Sequence, residues 1–128
     1  MAHPTPYKAG EPLYEIKANL FKALAHPARI RTLEILSASQ GRPTPVSEIL
    51  VATAIEPTLL SQHLAVLKRH HVVRSQRVAN AVYYELAHPK ISELLSIART
   101  FLADNLQVRS EQYDALNALP PLGRSDDG

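Results

Sequence analysis

The chain has 128 residues, which at roughly 100–200 residues per domain makes one domain. Hydrophobic residues make up 45% and charged residues 20%, ordinary for a globular protein and too apolar for a disordered one. Cysteine is absent, which excludes disulfides, thiolate metal ligands and iron–sulfur clusters, while a net charge of +2 by itself selects no partner.

Residues 1–10 hold two prolines and a glycine without periodicity and are expected to form a flexible arm. No apolar run reaches the roughly 18–20 residues of a membrane span, and the first residues lack the apolar core of a signal peptide. The expectation is therefore a cytoplasmic protein. From Glu11 the pattern becomes helical, with Leu13, Ile16, Leu20, Phe21 and Leu24 recurring three and four apart. His26-Pro27 interrupts it, since the residue before proline avoids helical backbone, and Pro27 opens a second helix carrying Ile30, Leu33, Ile35 and Leu36. Gln40-Gly41-Arg42-Pro43 ends that helix, and Ser47–Ala54 is a short third one with Val46, Ile49 and Leu50 inward.

Glu56-Pro57 restarts the chain as an acidic cap with proline at the first helical position. On a helix from Pro57 to about His70, Leu60, Leu64, Leu67 and His71 share one side. Thr58, Ser61, Gln62, Ala65, Lys68 and Arg69 share the other. The period then changes. Val72–Val78 and Ala81–Leu86 read as two strands joined at Ala79-Asn80, where Asn tolerates left-handed backbone. Pro89 starts a last, long helix whose apolar positions run from Ile91 through Leu106 and continue more weakly to Leu119. The domain should span 11–107, with a helical extension over 108–119 and a disordered tail over 120–128.

The fold class is mainly α with a small β-hairpin: about five helices and a two-stranded wing. The third and fourth helices are separated by a few residues, as a helix-turn-helix requires. A major groove about 12 Å wide admits one helix, and close approach to base edges needs short polar side chains facing outward. Thr58, Ser61 and Gln62 meet that need at the N-terminal end, where recognition helices reach bases. Residues 57–80 carry Lys68, Arg69, Arg74 and Arg77 and no acid, a strip suited to phosphate. The competing reading is a small domain whose polar helix face meets only water, or one that uses the same face for a protein partner. No Gly-rich phosphate loop, HExxH or Gly-x-Ser-x-Gly motif supports an enzyme, and no cofactor motif is present.

The stretch LFKALAHPARIRTLEIL at 20–36, with PVSEIL, SQHLAVLKRHHVV at 61–73 and AVYYEL at 81–86, resembles the ArsR/SmtB family of bacterial winged-helix repressors. The resemblance covers roughly 12–107. It implies a homodimer built on the first and last helices, bound to an inverted-repeat operator on double-stranded DNA and released by a small effector. It places Ser61, Gln62 and His63 on the recognition helix and Arg77 and Asn80 on the wing. His63 lies beside the leucine face, where packing and phosphate contact both fit, and it stands among the DNA-binding candidates.

Two metal sites known in the family have no ligand set here. The third-helix cysteine pair corresponds to Pro45 and Ser47. The last-helix set corresponds to His88, Lys90, Phe101 and Asp104, of which lysine is a poor ligand and phenylalanine none. No metal is therefore expected, the alternative being a non-standard site drawing on His3, His26, His70 or His71. His26 reads as structural.

Overall fold

The computed structural model describes residues 6–120. Residues 1–5 of the arm expected over 1–10, and 121–128 of the tail expected over 120–128, lie outside them, as does His3; residues 6–10 of the arm are instead helical. The chain divides into two units, one ending at Glu93 and one beginning at Leu94.

The first unit opens with α1 (Pro6–Leu24). The helix therefore begins five residues before Glu11, with Pro6 at its start and Pro12 inside it. Proline suits a first turn because its missing N–H has no helical partner there, so Pro6 serves as the opening signal and Pro12 removes one backbone bond. Ala23 and Leu24 are buried at the end of α1, while Leu13, Ile16 and Phe21 remain exposed. His26 then caps α2 (Pro27–Ala38): its Nδ1 accepts from the Ala28 amide at 3.1 Å, confirming the structural reading of this histidine. Thr32, Leu33 and Leu36 of α2 are buried, and the Thr32 hydroxyl donates to the Ala28 carbonyl at 2.8 Å, so a fully buried polar side chain is satisfied locally.

A short strand that the sequence reading lacks, β1 (Thr44–Pro45), precedes α3 (Val46–Thr53). Ala54 leaves α3 with φ of 56°, and α4 (Pro57–Arg69) turns away by 115°. That angle falls in the helix-turn-helix range of about 90–120°. The strands β2 (Val73–Val78) and β3 (Ala81–Leu86) pair antiparallel from Val73↔Leu86 to Val78↔Ala81. β1 adds to the other edge of β3 through Thr44↔Tyr84 and Pro45↔Tyr83, so the expected two-stranded wing is a three-stranded sheet ordered β1-β3-β2. Two residues cannot announce a strand by alternation, and proline is tolerated on an edge, where no ladder donor is needed. At the hairpin tip it is Ala79, not Asn80, that takes positive φ, 55°.

Leu33, Leu36, Ile49, Leu60, Leu64, Leu67, Val72 and Val73 form the core of this unit. Each buried leucine contributes about 1.5–3 kcal/mol of transfer free energy, and three of the five leucines in this set, Leu60, Leu64 and Leu67, come from α4. That helix is therefore held by its leucine side. The last helix, α5 (Pro89–Asn117), begins in this unit, where the Ser92 hydroxyl bonds the Ser37 hydroxyl of α2.

In the second unit α5 continues without a break at 107, and Leu95 is its buried residue. Ile97, Phe101, Leu102, Leu106, Tyr113 and Leu116 are all more than half exposed. Among the described residues no single helix is long and apolar enough to cross a membrane.

Candidate nucleic-acid interface

The start of α4 is set by Glu56, whose Oε2 accepts from the Leu59 amide at 3.0 Å. Hydrogen bonds from the Thr58 and Leu59 amides hold this carboxyl below its ordinary pKa. The first-turn amides are thus taken by the chain's own carboxylate, and α4 offers side chains, not its N-terminal backbone, to a ligand.

Those side chains are open. Thr58, Ser61, Gln62, Ala65, Lys68 and Arg69 are exposed, on the side opposite buried Leu60, Leu64 and Leu67. Ser61 also lines a recess of about 450 Å³ with Asn80, Val82 and Tyr84 of the hairpin and Ser47 of α3. The wing tip and the helix thereby line one recess of mixed character. Ser47 has no sequence signal, because only the turn into α4 brings it near Ser61. Leu59 also lacked one: it sits off the leucine stripe and is 44% exposed at the same end of α4.

The four predicted cations do not form one group. Side chains alternate along a strand, and directly opposed residues share a face. Arg77 opposes Val82, which lines the recess with Ser61, so Arg77 projects on the α4 side of the sheet. Arg74 opposes Glu85 on the other face, and its Nε holds the Glu85 carboxylate at 3.1 Å. There it lines a different recess, with Ser37, Gln40 and Ser92. Arg74 therefore leaves the predicted strip, because Glu85 lies just past the acid-free segment in sequence but beside it in space.

His63 is a second correction. Only 5% of it is exposed, and its Nδ1 accepts from the Arg29 Nε at 3.2 Å. Its ring lies 4.3 Å from that of His26, centroid to centroid. A side chain packed this way cannot reach a phosphate; its wheel position at the edge of the leucine face turned it inward. Burial first, then His26 and the Arg29 guanidinium, hold the imidazole below its ordinary pKa.

The remaining histidines have separate places. His70 caps α4 through its backbone, His71 leaves the helix with φ of 59° and is exposed, not part of the core face, and His88 Nδ1 accepts from the Lys90 amide at 3.0 Å. Among the described residues no three His, Asp or Glu side chains are grouped to hold a metal ion.

The architecture agrees with that of known proteins. The chain is 47% identical over 109 residues to an HTH-type transcriptional regulator, Rv0081 of Mycobacterium tuberculosis, covering 84% of this chain and 93% of the relative. It belongs to the ArsR/SmtB family of winged helix-turn-helix transcriptional regulators. The crystal structure of Rv0081 superposes with a TM-score of 0.70 at 48% identity, covering 77% of this chain and 97% of that one. The homodimeric winged helix-turn-helix domain of Mb0332 from Mycobacterium bovis, a possible ArsR-family regulator, gives a TM-score of 0.71 at 27% identity, over 84% and 94% of the two chains. A transcriptional repressor SmtB homolog of Synechocystis is 31% identical over 90 residues, 70% of this chain and 63% of the relative. No protein-family model matches the sequence.

Proposed function

We propose that this regulator is a homodimeric repressor that binds an inverted-repeat operator in double-stranded DNA and is released by a small effector. In this reading α4 enters the major groove. Thr58, Ser61 and Gln62 read base edges, with Gln62 suited to adenine and the hydroxyls to several bases. Leu59 offers an apolar contact for a thymine methyl group. Lys68, Arg69 and Arg77 meet phosphates, and Asn80 follows the wing into the neighbouring backbone. The observation that carries the proposal is the division of α4: leucines inward, short polar groups outward and uncovered.

Dimerisation rests on apolar surface. α1 leaves Leu13, Ile16 and Phe21 exposed, and α5 separately leaves a stripe from Ile97 to Leu116, both suited to burial against a second copy. Mb0332 is homodimeric, and the Synechocystis relative is named a repressor, which favours the same assembly and action here. A dimer reads two half-sites about one helical turn apart, hence the inverted repeat.

The test is selection of bound duplexes from random DNA, followed by fluorescence anisotropy. An enriched inverted repeat with saturable binding is expected. Ser61→Ala with Gln62→Ala should remove about 1–3 kcal/mol of discrimination per lost bidentate contact. If the double variant kept full preference for the selected sequence, the reading face would lie elsewhere.

A further inference from the structure

Arg29 links two helices. Its Nη1 donates to the Ala23 carbonyl at 3.1 Å and to the Lys22 carbonyl at 3.5 Å, in the last turn of α1. Its Nε donates to His63 Nδ1 at 3.2 Å, on α4. Backbone carbonyls at a helix end are fixed acceptors, so the guanidinium is oriented from α1 and holds the ring of His63. His63 directly follows Ser61 and Gln62, the proposed base-reading side chains. The orientation of this ring is thus tied to the presentation of the reading face.

The bond also dictates protonation. Because Nδ1 accepts, the neutral ring carries its proton on Nε2. Nε2 is buried and has no hydrogen-bond partner among the described residues. A second proton would have to enter at Nδ1, against the Arg29 N–H. The site would then hold two donors facing each other, a second buried N–H without an acceptor, and a cation beside a guanidinium. Among the described residues the charges acting on the ring are Arg29 of α2 and the α2 cap His26, with none from the described side chains of α1 or from β2, which also pack on α4. Among the described residues no carboxylate acts on the ring to compensate the imidazolium.

We propose that His63 is a positioning residue held by Arg29, and that protonation at Nδ1 breaks this contact, loosens α4 and lowers DNA affinity while the protein remains folded. This rests on the DNA-binding reading above. The sign is distinctive. A cation added beside DNA would instead strengthen phosphate attraction as pH falls. A buried, arginine-held histidine gives weaker binding in acid, and His63→Asn, which leaves the Glu56 and His26 caps in place, isolates its share.

The experiment measures affinity for a duplex selected at pH 8 by the wild-type protein, from about pH 8 to 5.5, the range in which histidine titrates. Circular dichroism monitors folding at each pH. His63→Asn keeps an acceptor near the Nδ1 position and does not titrate there. Because burial holds the ring below its ordinary pKa, wild-type affinity is expected to fall relative to His63→Asn only toward the acid end of this range, by about two- to tenfold, with both proteins folded. Independently of any variant, the imidazole resonances of His63 should titrate together with the Ser61 and Gln62 amides in the free wild-type protein. Identical pH profiles, a wild-type loss that follows unfolding, or Ser61 and Gln62 amides indifferent to His63 would each overturn the proposal. Failure to bind any duplex at pH 8 would instead refute the DNA-binding reading, and the resonance titration would still decide the His63 linkage.

Discussion

Raising the salt concentration from about 50 to about 200 mM asks which cations of the proposed interface meet phosphate. Lys68, Arg69 and Arg77 are exposed on the α4 side, whereas Arg74 is held by Glu85 on the opposite face of the wing. A dimer then brings about six cations to the duplex, and the slope of log affinity against log salt is about −5. Fourfold more salt weakens binding about a thousandfold on that slope. Counting Arg74 as well would give a slope of about −7 and a loss of about ten thousandfold. Anisotropy titrations of wild type, Arg77→Ala and Arg74→Ala separate the cases. Arg77→Ala should flatten the slope to about −4, and Arg74→Ala should leave it unchanged. An Arg74→Ala slope as shallow as that of Arg77→Ala would mean that the Glu85 pair opens on DNA and the two-face assignment is wrong.

Stability gives four further expectations. Leu64→Ala, at a site 2% exposed between α4 and the core, should destabilise the fold by about 2–5 kcal/mol, read from the urea midpoint. Gly41 has φ of 84° and open space where a Cβ would stand, so Gly41→Ala should cost about 1–2 kcal/mol through backbone strain alone. Ala79→Gly, at φ of 55°, should move stability the other way, by up to about 1 kcal/mol, because glycine relieves the same strain. Glu56 is held below its ordinary pKa by the Thr58 and Leu59 amides, so its stabilisation is complete above the ordinary carboxylate pKa and fades as pH falls through the lowered one. Thermal melts of wild type and Glu56→Gln should therefore differ at neutral pH and converge in acid.

Local signals were strong where one residue type dictates backbone. Pro27 and Pro57 open α2 and α4 as read, Glu56 caps α4, and the change of period at Val72 marks the wing. The leucine spacing of α4 settled which side is buried. Signals failed where partners come from distant sequence. Two residues at 44–45 became a strand only because β3 offers an edge, and Thr32 is buried because the Ala28 carbonyl satisfies it one turn back. Asn80 looked like the residue for left-handed backbone, yet the turn places that conformation at Ala79, a property of hairpin geometry rather than of side-chain preference.

The two site residues that moved, Arg74 and His63, share a cause. Each was judged by its charge or its wheel position along one element, and each is taken up by a partner on another: Glu85 across the sheet, Arg29 across the helix pair. Interfaces are read from surplus groups, those left after the protein's own contacts are counted. For α4 that surplus is Ser61 and Gln62 at one end and Lys68 and Arg69 at the other, a polar end followed by a cationic one, with the exposed Thr58 hydroxyl shared with the Glu56 carboxylate. A helix entering a groove N-terminus first needs that order, because base edges lie deep and phosphates line the rim. Arg77, on the sheet face turned toward α4, extends the cationic side beyond the helix. His63, buried and bonded to Arg29, is no part of that exposed face.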